Sequence, residues 1–244
     1  MTATHHVGGW RGYTPLAAFD LEDGRPLWRT PQRMDTVLPL SWGDSLLLGS
    51  GTETWLIDPR DGRELLRWRL PEPVTSADHE PAFTMIDSGR CLVRCGPRSI
   101  WGLRLSSGRV DRFFGHDADL LSSAAEFAGG VVWLRERRHG HVAVHADTGS
   151  ALWKVDVGQP LVRGVVRDGG MFVVAGLSGV LLRLGSDGRI LERSPSFAGR
   201  AAELVDLGAG EMLMVTKGAL KMIALGSSRR GTGPPRAAAV RGSR

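Results

Sequence analysis

Seven histidines, two cysteines and a handful of acids are the side chains in this 244-residue chain that could do chemistry. In the run HGHVAVH, His141 and His145 share one face of a strand, but four residues at ~3.3 Å each set them ~13 Å apart. That is too far to hold one metal ion through bonds of ~2.1 Å. His139 and His141 stand ~6.6 Å apart on the same rise, yet they flank a glycine turn. His5 and His6 are adjacent and point to opposite faces of an extended chain. In the loop GHDADL, His116, Asp117 and Asp119 could coordinate a divalent cation, although a polar surface loop uses the same residue types. No serine lies in a Gly-x-Ser-x-Gly elbow. Cys91 and Cys95 sit in the strand-like run CLVRC with α-carbons ~13 Å apart, beyond the ~4.4–6.8 Å of a disulfide. Two free thiols in apolar packing are expected, consistent with a reducing compartment. No catalytic residue, metal site or cofactor is assigned.

The elements that must position these groups are marked by turns. A small polar residue followed by glycine recurs at Asp23-Gly24, Asp61-Gly62, Ser107-Gly108, Thr148-Gly149 and Asp187-Gly188, each between two short apolar runs. Successive glycines are 38, 46, 41 and 39 residues apart. Hairpin chemistry at a period near forty is the pattern of a β-propeller blade. The unit from Asp35 to Leu70 reads as four strands, A to D, and three further units repeat it. Their A–B turns fall at Ser88-Gly89, Gly129-Gly130 and Gly169-Gly170. The ends are incomplete: the first unit has C and D strands with only a weak HHVGGW before them, and the last, EMLMVTKGALKMIAL, stops after C. The expected fold is all-β, a propeller of four-stranded blades over residues 1–225. Six blades are expected, or five if the partial end units merge into one; an arc completed by another polypeptide is the third arrangement.

The formal charge of +5 does not belong to that repeat region. Five arginines and no acid lie from Gly226 onward, leaving 26 basic against 26 acidic residues before it. The segment 226–244 is rich in Gly, Pro, Ser and Ala and is expected to be a disordered tail. Five charges there would give salt-sensitive, non-specific nucleic-acid contact at most, so nucleic acid is not an expected partner. The opening MTATHHVGGWRGYTPL lacks a charged n-region and a continuous apolar h-region, and no run of 18 apolar residues occurs, so a cytoplasmic protein with no membrane partner is expected.

The pattern Ala-x-Asp-x-x-Asp-Gly-x-x-Leu-Trp at Ala18, Asp20, Asp23, Gly24, Leu27 and Trp28, echoed by Thr148, Gly149, Leu152 and Trp153, resembles the pyrroloquinoline-quinone-like propeller repeat over about residues 14–225. Leu66, Arg112 and Glu192 stand where the repeat places tryptophan. The resemblance implies the fold. Quinoprotein dehydrogenases of that family carry a quinone and calcium on an eight-bladed ring, and this chain has neither the length nor an identifiable ligand set, so no quinone is expected.

In such a blade the A–B and C–D turns share one rim, and the B–C and D–A loops share the other. The longest connections fall on the second rim, where rigid scaffolds usually carry binding residues. The candidate contacts there are Asp78, His79, Glu80, His116, Asp117, Arg135, Arg137, Arg138 and His139; solvated connectors are the competing reading. The function expected is a non-catalytic scaffold that holds a protein partner in a bacterial multiprotein system. The alternative is a small-molecule binder or enzyme using the central channel, where tryptophans would suit a planar ligand.

Overall fold

Each small-polar–glycine turn closes by one device. The side-chain oxygen of the first residue accepts the backbone N–H two positions on: Asp23 from Arg25 (2.9 Å), Asp61 from Arg63 (2.9 Å), Thr148 from Ser150 (3.3 Å) and Asp187 from Arg189 (3.1 Å). The glycine between them takes a left-handed backbone, with φ from 62° at Gly108 to 83° at Gly188, which a side chain resists. These turns join short antiparallel strands, as their spacing predicts.

A computed structural model describes residues 2–4, 16–30, 39–75, 82–121, 125–138, 140–167, 170–175, 177–195 and 199–224. Among them are six sheets whose strands follow chain order. The first joins β1 (Thr2–Thr4), β2 (Ala17–Phe19) and β3 (Pro26–Arg29). The second holds β4 (Leu40–Trp42), β5 (Ser45–Ser50), β6 (Glu53–Ile57) and β7 (Glu64–Arg69). The third holds β8 (Phe83–Asp87), β9 (Arg90–Cys95), β10 (Ser99–Arg104) and β11 (Val110–Gly115). The fourth holds β12 (Glu126–Ala128), β13 (Val131–Arg135), β14 (Gly140–His145) and β15 (Ala151–Asp156). The fifth holds β16 (Val165–Arg167), β17 (Gly170–Ala175), β18 (Val180–Gly185) and β19 (Ile190–Arg193). The sixth holds β20 (Ala201–Gly208), β21 (Glu211–Thr216) and β22 (Ala219–Ala224). The first and last units thus stand as separate three-stranded sheets, six in all rather than five. The strand beside β2 is Thr2–Thr4, with Ala3 opposite Ala18; the run HHVGGW expected there and the tail 226–244 lie outside the described residues.

The chain divides into two compact units, Met1–Glu136 with Val144–Ala151, and Arg137–Ala143 with Leu152–Arg244. In the first unit the second and third sheets bury Trp42, Leu47, Leu56 and Trp68 against Cys91, Val93, Cys95 and Leu103. Trp42 and Trp68 stack at 6.0 Å. Leu16, Leu48, Trp55 and Ile57 form a second cluster, with Trp28 packed on it. In the second unit the cluster is Val162, Leu181, Ala201, Leu204, Met212 and Met214. Alternating apolar residues on both faces of each strand supply these layers.

Tryptophan on a D strand joins one sheet to the turn of the next. The Trp28 indole N–H donates to the Pro59 carbonyl at 2.9 Å, and that of Trp153 to the Ser186 carbonyl at 2.7 Å. A Cβ added to Gly62 would lie 2.7 Å from the Trp28 ring, and one added to Gly188 would lie 2.5 Å from the Trp153 ring. Glycine is therefore required twice over at Gly62 and Gly188: for its backbone, and because an indole lies flat beneath it.

Candidate binding rim

The B–C and D–A connections around the third sheet are laced together by backbone hydrogen bonds. Gly96 N–H donates to the Pro73 carbonyl and Thr75 N–H to that of Arg94, tying segment 71–75 to the turn after β9. Leu120 N–H donates to the Pro97 carbonyl and Leu121 N–H to that of Arg135, tying segment 116–121 to the turns after β9 and β13. Glu72 covers Gly96 so closely that a Cβ there would meet its Oε2 at 1.9 Å.

Arg94 is the hub of this lacing. It sits at 2% exposure in the middle of CLVRC, and its guanidinium donates to the carbonyls of Pro97 (2.6 Å), Ser99 (2.7 Å), Leu121 (3.2 Å), Leu120 (3.3 Å) and Cys95 (3.4 Å). The five N–H groups of the planar fork suit such convergent acceptors. Burial pushes its pKa down to about 10, so it remains a cation at neutral pH. The carbonyl dipoles, together with more distant Glu72 and Asp119, offset that buried charge.

His116 fastens the next contact. Its Nε2 lies 2.5 Å from Glu136 Oε1 and its Nδ1 3.3 Å from Asp117 Oδ1, while its ring stacks on Phe114 at 5.5 Å. With both ring nitrogens facing carboxylates, the imidazole acts as a strut between two loops and turns no nitrogen toward an incoming substrate. Asp119 pairs with Arg98 at 2.8 Å instead of joining His116 and Asp117. Among the described residues no group of three His, Cys, Asp or Glu side chains converges on a metal-sized site.

Of the residues picked out by sequence, Asp78, His79, Glu80 and His139 lie outside the described residues. Asp117 is exposed, as are Arg137 and Arg138 at the start of the other unit. His116 is half-buried, and Arg135 is turned inward at 9% exposure because every residue of β13 is buried. Among the described residues, the charges exposed on this rim of the first unit include Arg98 and Asp117, with Asp119 half-buried beside Arg98. Sequence reading passed over Arg94, Arg98 and Glu136. The available signal for Arg94 was one charge inside an apolar run; Glu136 was hidden among the like-looking charges of RERRHG.

The cysteines are both free and fully buried. Burial raises the Cys95 thiol to about 12 and the Cys91 thiol further still, leaving almost no thiolate at neutral pH. Native protein at pH 8 should consume less than about 0.1 equivalent of a thiol reagent in minutes, and about two equivalents once unfolded in denaturant. Prompt native labelling of either cysteine would contradict this packing.

No protein-family model and no curated protein sequence matches the chain. Its fold is similar to that of solved structures. The crystal structure of BamB from Moraxella catarrhalis aligns with a TM-score of 0.70 at 15% identity over 90% of this chain and 66% of that one. The computationally designed Ika8 protein aligns with a TM-score of 0.70 at 13% identity over 89% of this chain and 67% of that one. Dihydro-heme d1 dehydrogenase NirN, in complex with DHE, aligns with a TM-score of 0.70 at 14% identity over 89% of this chain and 52% of that one. The chain thus spans about two thirds of the length of the first two and about half of the third. At such identity the likeness bears on fold alone, and together with the six antiparallel sheets among the described residues it makes this chain a β-propeller.

Proposed function

We propose that this chain is a propeller of the pyrroloquinoline-quinone-like repeat type that works without catalysis, as a scaffold holding a protein partner in a bacterial multiprotein system. The contact surface of the first unit is the rim built from segments 71–75, 96–98 and 116–121. One observation carries the reading: a buried arginine, Arg94, ties two of these connections together through five backbone carbonyls. A surface prepared in this way loses little conformational entropy when a partner docks. The exposed Arg98 and Asp117, with half-buried Asp119, supply mixed charge suited to a polar partner rim.

Tagged chain retrieved from the organism that encodes it should bring down a stoichiometric protein. The double variant R98D/D119R keeps the ion pair but swaps its ends. It should melt within about 4 °C of the parent, because a pair at the surface contributes only ~0–1 kcal/mol, and it should retain about tenfold less partner. Unchanged retention by the swapped variant removes this rim from the interface, and absence of any partner removes the scaffold reading.

A further inference from the structure

The sixth sheet ends on a C strand. In the second to fifth sheets a D strand, β7, β11, β15 or β19, lies beside the C strand, and β6, β10, β14 and β18 are accordingly mostly buried. Among the described residues no strand pairs with the outer edge of β22. Its place in the sheet matches that of β18, because Ala219 pairs with Thr216 at the B–C turn as Val180 pairs with Ala175. Leu220 therefore corresponds to Leu181, yet it is 69% exposed where Leu181 is 7%. Met222, two positions on, is 49% exposed.

The backbone of β22 faces outward at the same positions. Lys217 and Gly218 form a two-residue hairpin turn, so Ala219 exchanges hydrogen bonds with Thr216, and Leu220, Met222 and Ala224 turn their N–H and C=O groups away from β21. In the fifth sheet the corresponding groups are bonded to the D side. The Leu181 carbonyl accepts the Ser194 N–H at 2.9 Å, and the Gly185 N–H donates to the Arg189 carbonyl at 2.9 Å.

The sequence after β22 does not read as the D strand. The D strands of the second to fifth sheets begin seven, six, six and five positions after Ile57, Arg104, His145 and Gly185. The same spacing from Ala224 reaches 229–231, where the sequence runs RRGTGPP, with two glycines, two prolines and no apolar residue. Nor does β22 carry the usual protection of an edge. Each of the four D strands bears two or more charges, such as Glu64 and Arg67 in β7 or Glu192 and Arg193 in β19, and charges discourage edge pairing. In β22, ALKMIA, the one charge is Lys221, on the face opposite to Leu220 and Met222.

We propose that β22 is the interface of a homodimer, pairing antiparallel with β22 of a second copy about a two-fold axis at Met222. The strand is self-complementary in that register. The outward backbone groups of Met222 meet those of Met222 in the second copy, and those of Leu220 meet Ala224 of the second copy. Leu220, Met222 and Ala224 of both copies then share one face. On the other face Lys221 lies opposite Ile223 of the second copy, so no lysine directly opposes another. Two three-stranded sheets become one of six strands. One short strand makes a small interface, and the expected dissociation constant is on the order of 10 µM. The pairing is independent of the rim around Arg94, which belongs to the other unit.

Sedimentation of the full chain over a range from about 1 to 200 µM, which brackets that constant, tests this. The average mass should rise toward twice that of the monomer across the range. M222K and M222E each set two like charges face to face at the axis and should weaken association by about tenfold or more. Both should keep the parent's far-ultraviolet circular dichroism, since the Met222 side chain is exposed. An equimolar mixture of the two variants should recover association as tight as the parent's, because lysine then faces glutamate across the axis. A parent that stays monomeric to about 200 µM overturns the proposal. So does a folded M222K that associates as the parent does, or a mixture no tighter than either variant alone.

Discussion

Replacing Arg94 with methionine should lower stability by about 3 kcal/mol or more, and Tm by roughly 6–12 °C for a domain of this size. The substitution keeps the buried volume but withdraws every donor from five backbone carbonyls, several of which have no access to water. Each buried acceptor left unsatisfied costs about 1–3 kcal/mol, partly offset because a desolvated cation is removed at the same time. Arg94→Lys should fall between, near 2 kcal/mol, since an ammonium offers three donors from one point and cannot span acceptors as far apart as Pro97 and Leu121. Equilibrium denaturation of the two variants decides the matter. A methionine variant within about 0.5 kcal/mol of the parent would mean that the loops hold without the guanidinium, and the rim would lose its claim to be prepared for a partner.

Gly149→Ala should be costlier than Gly24→Ala by about 2 kcal/mol, although the two glycines share nearly the same backbone, φ 69° and 72°. At Gly24 an added Cβ meets nothing within 4 Å, so only the left-handed strain of about 1–2 kcal/mol applies. At Gly149 it would stand 1.9 Å from the carbonyl oxygen of Phe113. That obstacle is backbone of β11 and cannot swing aside as a side chain can. The third sheet and the turn after β14 would have to part. Measured side by side in denaturant, equal costs at the two positions would show that the turn does not bear on β11 as described.

Local chemistry made most of the fold legible. The polar–glycine pairs specify their own turns because the acceptor oxygen, the donor N–H and the left-handed residue all lie within three positions, and no distant group is needed. A period near forty then follows from repeating one hairpin plan, and the short end units at residues 2–29 and 201–224 were visible as missing strands. Trp28 and Trp153 were legible as residues of the repeat pattern, but the carbonyls they reach, at Pro59 and Ser186, were not.

What the residues alone determined is thus the strand order, the turns and the repeat. Only the tertiary structure decided which charges face water: Arg135, expected on the rim, is buried, as is Arg94 inside an apolar run, and His116 reads as a surface ligand yet braces Glu136. It also decided where each bulge falls, a shift of two ladder pairs in the third sheet that sets Asp111 opposite Gly102. The reason is range. Turns close among neighbours in the chain, whereas burial and register depend on the sheet packed alongside, whose residues lie tens of positions away and compete for the same face.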